Sequence, residues 1–255
     1  MYIKSFKVDR LEVFVYGTRE EMGRAAYLRY RDKVNAFLQA QERVRAIFAA
    51  AHSQDEFLAE LAADREIPFE RIDAFHMDEY FGLGVDAPQN FGNFLQEHIW
   101  KHHPFGSVNR LRPDASDLME EAARYEGLIR RAPIDITSLG IGENGHIAFN
   151  DPHEADFNDP RWVRTTTLDD RCRQQQVNDG EFVSIDRVPK AAFTLTIPAL
   201  MSSRALVCVV PCERKAEAVK RCLEGPVSTE CPASIMRTHP DAALFLDRAA
   251  ARLIL

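Results

Sequence analysis

Ile134-Asp135-Ile136-Thr137-Ser138-Leu139-Gly140-Ile141 is a near-continuous apolar run that ends in glycine-rich sequence, Gly142-Glu143-Asn144-Gly145. Apolarity that is continuous rather than alternating marks a strand covered on both faces, as in a parallel sheet. The flanking sequence repeats the theme. Upstream, Ser116 to Arg130 carries Met119, Ala122, Tyr125 and Ile129 at helical spacing. Ile72 to His76 is apolar, then come the polar Met77-Asp78-Glu79-Tyr80 and a helical stretch from about Asn90 to Trp100. Val44 to Ala51 is another apolar run, after which Ser53 and Glu56 have the spacing of a capping box for a helix through Phe57, Leu58 and Leu61. The first sixteen residues alternate like a strand, and Arg10 to Tyr16, with one face less apolar than the other, predicts a strand at a sheet edge. Thr18 and Glu21 form a second capping box, opening a helix that runs to about Gln41. Downstream, Ala192 to Ile197, Arg204 to Val210, a helix from about Arg214 to Leu223, and Ala242 to Leu246 continue the pattern. Strands alternating with helices imply right-handed crossovers and a mainly parallel sheet covered by helices on both faces. Nothing resembling a linker or repeat interrupts the pattern, so residues 1–255 are expected to form a single α/β domain.

Composition narrows the function classes. The chain has 255 residues, 45% hydrophobic and 28% charged, which excludes disordered and fibrous classes. Lys and Arg total 32 against 39 Asp and Glu, a net charge of -7 that repels phosphate backbones and anionic lipids, so no nucleic-acid or membrane partner is expected. No apolar run approaches the roughly 18 residues that span a bilayer, and the start lacks the apolar centre of a signal peptide. The expected location is cytoplasmic. Five cysteines, an odd number without a C-x-x-C pair, are expected to be free thiols, and Cys208 and Cys212 lack a matching pair that would complete a metal site.

In an open parallel sheet the ligand site lies beyond the carboxyl ends of the strands. Gly140-x-Gly142-x-x-Gly145 has the form of a dinucleotide fingerprint, but His146-Ile147-Ala148-Phe149-Asn150-Asp151-Pro152 follows where that fingerprint needs a long helix. His146 can give and take protons near neutrality, and Asp151, five residues on, can turn back to orient it; a catalytic role and a structural one both fit. His146, Asp151 and His153 lack the helical spacing of a metal site, and no metal is expected. Asp78 is either a turn cap or a general base at the mouth of the sheet.

These segments together carry a resemblance. Met77-Asp78-Glu79-Tyr80-x-Gly82-Leu83, the string from Gly140 to Pro152, Val188-Pro189-Lys190-Ala191, Lys215-Ala216 and Glu224-Gly225-Pro226-Val227, with Ser234 and His239, are similar in order and spacing to the glucosamine-6-phosphate deaminase (isomerase) family from about Phe48 to the C-terminus. The related 6-phosphogluconolactonases share the fold and a Gly-His turn but typically continue with a Ser-containing tail. The resemblance implies a Rossmann-like enzyme that opens an amino sugar phosphate, isomerises aldose to ketose and releases ammonia without a cofactor. It assigns Asp78 as the base that moves the C2 proton to C1, His146 as the group acting on the ring oxygen, and Asp151 and Asn144 as its orienting partners. Lys215, at a helix start, would meet the phosphate, and Gly145 would form the turn beside the substrate.

Three departures from that family stand out. Its glycine-rich phosphate loop is replaced by Phe48-Ala49-Ala50-Ala51-His52-Ser53-Gln54, leaving the helix N-terminus capped by Ser53, with His52 or Gln54, to hold the anion. A family arginine is displaced by Val177-Asn178-Asp179-Gly180, with Arg171 or Arg173 as substitutes. Asp151 and Asn144 stand where many relatives have longer or acidic side chains. The rival readings are a lactonase, another phosphosugar isomerase, and a non-catalytic sugar-phosphate-binding regulator. A homo-oligomer is compatible with the sequence.

Overall fold

The central apolar segments find the same solution, strands buried on both faces beneath helices, in a computed structural model that describes residues 2–255 except Asp169, Asp179 and the side chain of Arg171. In chain order the elements are β1 (Lys4–Val8), β2 (Leu11–Tyr16), α1 (Arg19–Ala40), β3 (Val44–Phe48), α2 (Asp55–Ala63), β4 (Ile72–His76), β5 (Asp78–Tyr80), α3 (Phe91–His98), β6 (Ser107–Asn109) and α4 (Leu118–Ile129). They continue as β7 (Ile136–Leu139), β8 (Val163–Thr167), α5 (Asp170–Asn178), β9 (Ala191–Leu195), α6 (Ile197–Met201), β10 (Ala205–Val210), α7 (Ala216–Glu224) and β11 (Ala242–Asp247). The large sheet runs β1-β2-β11-β10-β7-β3-β4-β6, parallel throughout except for the β1/β2 hairpin. Its alternating residues feed two apolar clusters: Leu244 and Leu246 of β11 join one, Ala243 and Phe245 the other. That is the mainly parallel, helix-covered α/β architecture expected from the apolar runs.

The order of connections matters for function. From β3 the chain steps outward to β4 and β6, then returns to the other side of β3 with β7, so the order of strand addition reverses between the parallel strands β3 and β7. Beyond the carboxyl ends of such a pair the following loops splay apart and leave a crevice.

Three expectations are corrected. The segment Arg10 to Tyr16 is not an edge strand: the alternating start folds in two at Asp9, which adopts φ +53°, and β1 takes the edge while β2 lies between β1 and β11. The Ser53–Glu56 capping box does not form. His52 to Gln54 make a 3₁₀ turn, α2 starts without a side-chain cap, and Glu56 is held instead by Arg19, whose Nε donates at 2.7 Å. By contrast Thr18 does accept from the backbone N–H of Glu21, at 3.2 Å. Third, Ala191–Leu195 does not join the large sheet. It is the centre of a separate antiparallel sheet, β5-β9-β8, because the chain leaves β4 at Met77, whose carbonyl accepts from Leu195 N–H at 2.7 Å, and β5 pairs with β9. All five cysteines are free thiols. Among the described residues no helix is long and apolar enough to cross a membrane.

Candidate active site

The crevice at the β3/β7 reversal is lined by Ser53, Asp78, His146 and Lys215, with Gln175 and Gln176 of α5 as one wall. Four side chains separated by up to 162 positions converge because each follows the carboxyl end of a strand of the large sheet: β3, β4, β7 and β10.

His146 is held on both sides. Its Nδ1 lies 2.8 Å from Asp151 Oδ1, and its backbone N–H donates to Asn144 Oδ1 at 3.0 Å. Asn144 Nδ2 donates to the same Asp151 oxygen at 2.7 Å, so one carboxylate is clamped by ring and amide together. Burial alone would raise the Asp151 pKa, but the His146 and Asn144 contacts win and hold it below the usual carboxylate range. An ionised Asp151 fixes the proton on Nδ1 and leaves Nε2 of His146 as the atom able to accept or donate one. Of the glycines in the Gly140 to Gly145 segment, Gly142 makes room for this histidine. A Cβ on Gly142 would lie 2.2 Å from the His146 ring, and Gly145 adopts φ +95° against Cys231.

Asp78 is buried, 7% exposed, at the first residue of β5. Burial, with the Glu79 charge next to it, pushes its carboxyl well above the usual carboxylate range. Glu79 points elsewhere: it accepts from the backbone N–H groups of Tyr80, Phe91 and Gly92 at 2.9 to 3.0 Å, tying β5 to the N-terminus of α3. Burial lifts Glu79 to about 7 although those N–H donors pull it down.

The small sheet joins the two halves of the site. Thr194 of β9 pairs with Asp78, and its Oγ1 accepts from Phe149 N–H at 3.0 Å. Asn150 Nδ2 donates to Leu195 O at 2.9 Å, and Asn150 Oδ1 accepts from Arg164 of β8 at 3.3 Å. One strand therefore sets the positions of both the Asp78 segment and the His146 loop. Ala148, within that loop, sits at φ +48°, a left-handed conformation that these contacts maintain.

The expected anion-binding residues divide. Lys215, 6% exposed at the start of α7, and Ser53 reach the crevice. Gln54 is fully buried, donating to Ser53 Oγ at 3.0 Å and Val209 O at 3.2 Å, and clamps strand ends instead of lining the crevice. His52 lies beside the crevice, paired with Asp55 at 2.9 Å and Glu181 at 3.1 Å. Arg173 turns inward, donating to Ile185 O at 2.6 Å and Val188 O at 3.2 Å, so it does not enter the crevice. Asp179 and the Arg171 side chain lie outside the described residues. Gln175 and Gln176 occupy the place expected of Arg173, a substitution the polar run Gln174-Gln175-Gln176 carries without showing. Thr194 left only the trace of a polar residue inside an apolar run. Among the described residues, His146, Asp151 and Cys172 are the one group of three metal-ligating side chains whose donor atoms fall within 4.8 Å of one another. His153 is not part of it and lies 3.8 Å from Glu154.

With carboxyl, imidazole–carboxylate pair and ammonium facing one crevice, the site can move protons on a small anionic substrate. Residues 17–245 match the family described as glucosamine-6-phosphate isomerases/6-phosphogluconolactonase. A glucosamine-6-phosphate deaminase of Exiguobacterium sibiricum is 38% identical over 190 residues, covering 72% of this chain and 73% of its own. One from Lactobacillus delbrueckii subsp. bulgaricus is 34% identical over 206 residues, covering 81% and 86%. Among solved structures, a monomeric glucosamine-6-phosphate deaminase superposes with a TM-score of 0.87 at 30% identity, covering 94% of this chain and 99% of its own. The 6-phosphogluconolactonase of Thermotoga maritima superposes with 0.76 at 18% identity, covering 93% and 99%, a likeness of fold.

Proposed function

This chain belongs to the glucosamine-6-phosphate isomerase/6-phosphogluconolactonase family of enzymes, and from that premise we propose that it is an amino sugar phosphate isomerase and deaminase, converting glucosamine 6-phosphate or a close epimer, with water, to the ketose 6-phosphate and ammonia. The observation that carries this reading is the buried carboxyl of Asp78 facing the same crevice as the His146–Asp151 pair. Lactone hydrolysis moves no carbon-bound proton and so needs no base positioned to take one. An aldose–ketose isomerisation does.

His146, oriented through Nδ1, takes the proton of the C1 hydroxyl on Nε2 and delivers it to the ring oxygen O5 as the C1–O5 bond breaks, giving the open aldehyde. Asp78 removes the proton from C2 and returns it to C1 while a proton of the substrate ammonium passes to O1, leaving an iminium at C2 and a hydroxyl at C1; water adds at C2, its proton passes to the nitrogen, and ammonia leaves as the ketone forms. Before substrate binds, burial disfavours the charged form of Asp78. A substrate ammonium at C2 supplies the opposite charge that lowers the pKa and readies the base. Lys215 meets the phosphate, with Ser53 beside it. Each step is a proton transfer, ring opening or addition of water, and none calls for a cofactor. The site is contributed by a single domain.

The test is ammonia release from a panel of 2-amino sugars with and without a 6-phosphate. Release from the phosphorylated sugar supports the reading. Hydrolysis of a phosphogluconolactone without any ammonia release would replace it.

A further inference from the structure

Among the described residues a cavity larger than the crevice lies elsewhere. It opens at the opposite end of the sheet, beside the amino ends of β3, β4, β6 and β7, and encloses about 830 Å³, within the range of small-molecule sites, roughly 300–1,000 Å³. Four arginines, Arg43, Arg45, Arg131 and Arg204, face it against two carboxylates, Asp73 and Asp135. That excess of positive charge stands in a chain whose net charge is -7.

Both carboxylates are already engaged. Asp73 accepts from Arg43 Nη2 at 2.6 Å and from Ser107 Oγ at 2.6 Å. Asp135 accepts from Arg204 at 3.0 Å and from the backbone N–H of Arg45 at 2.8 Å. Arg45 donates only to neutral carbonyls at the end of α4, Leu128 O at 2.6 Å and Ile129 O at 2.9 Å among them, with its guanidinium 4.8 Å from the centre of the Phe75 ring. Arg131 is exposed on the rim, and neither it nor Arg45 forms an ion pair among the described residues. Phe75, Leu128 and Pro133 supply an apolar lining beneath this rim. A cavity with an apolar lining and two more guanidinium groups than carboxylates suits a ligand that joins an apolar face to an anion.

We propose that this cavity is a second small-molecule site, taking a phosphomonoester whose body, with one apolar face, has the size of a nucleoside. The site is separate from the crevice. The five residues of β3 place Arg45 and the Ala49–Ala51 crevice wall about 15 Å apart. Arg131 and Arg45, the two lining arginines without an ion pair among the described residues, receive the phosphate, and the apolar wall takes the body. Fixed guanidinium groups suit a phosphate better than a flexible ammonium because they present paired donors.

The experiment is equilibrium dialysis of the full chain against AMP, with adenosine as the neutral control, on wild type, Arg131→Glu and Lys215→Ala. The expected result is one AMP per chain, retained in Lys215→Ala and weakened about ten-fold or more in Arg131→Glu, with adenosine not retained. Arg131→Glu should keep the circular dichroism and glucosamine 6-phosphate turnover of wild type, since its side chain is exposed and distant from the crevice; Arg131→Gln provides an uncharged second variant, expected between the two. The proposal is overturned by no AMP binding at millimolar concentration, by binding that Lys215→Ala abolishes, by equal retention of adenosine, or by Arg131→Glu binding as wild type does.

Discussion

The two sheets of this molecule bury different things. The eight-stranded sheet buries carbon: every residue of β10 and nearly every side chain of β11 is buried and apolar, and its strands hold position through parallel pairing and two apolar layers. The three-stranded sheet buries, beside apolar Tyr80, Phe193 and Leu195, a set of polar groups, among them Asp78, Glu79, Arg164, Thr166 and Thr194. Burial of a polar group costs free energy unless a partner compensates it, so the small sheet is a poor source of stability and a precise source of position. A molecule arranged this way separates the elements that keep it folded from those that hold Asp78 and the His146 loop in place.

That division is open to attack at several points. The largest effect is expected at Asp78. Asp78→Asn should lower kcat for glucosamine 6-phosphate by about 10²- to 10⁴-fold while leaving thermal unfolding near wild type; turnover close to wild type would take Asp78 out of the chemistry. The same group sets the pH dependence. Because burial raises the Asp78 pKa and only its ionised form is a base, kcat/KM should rise with pH along a limb lying above the usual carboxylate range. The limb of kcat should lie lower, since the bound ammonium favours the ionised form. A limb of kcat/KM near pH 4 would contradict the burial argument.

The opposite signature is expected in the large sheet. Leu244→Ala, at a fully buried position in the middle of β11, should cost about 2–5 kcal/mol of stability, read from denaturant unfolding, with kcat unchanged below the transition. A fall in kcat without a fall in stability would erase the distinction between the sheets.

Lys215→Ala should reduce kcat/KM by roughly 10- to 150-fold for the phosphorylated sugar and hardly at all for its neutral counterpart, the range expected for a lost hydrogen bond to a charged group. Equal losses on both would mean that Lys215 supports the fold of the α7 start rather than the anion. The smallest effect sharpens the comparison most. Thr194→Val keeps shape and removes the acceptor for Phe149 N–H, so it should cost about 1 kcal/mol of stability and a few-fold in kcat, with the loss larger for the cyclic sugar, which needs His146, than for an open-chain analogue.

The Gly140 to Pro152 segment shows how far local reading reached. Its strand was legible because an unbroken apolar run too short for a helix must be covered on both faces to stay out of water. The His146–Asp151 partnership was legible because five residues of loop can close on themselves. The reading of Arg173 as a phosphate group did not survive placement, because α5, Arg-Cys-Arg-Gln-Gln-Gln with no apolar face, offers no periodicity from which to tell which side turns inward. The same uncertainty concealed Gln175 and Gln176.

By itself the sequence determined the parallel frame, the helix that Thr18 opens, and the polar residues waiting at the strand ends, since these follow from periodicity and neighbours within a few positions. Only the tertiary structure decided that β9 leaves the large sheet, that Glu56 turns to Arg19 instead of capping a helix, and that Asp78 and His146 meet across one strand. Those outcomes depend on partners 37 to 116 positions away. A carboxylate or a threonine hydroxyl bonds whichever donor the fold brings within about 3 Å, and separation along the chain does not enter that choice.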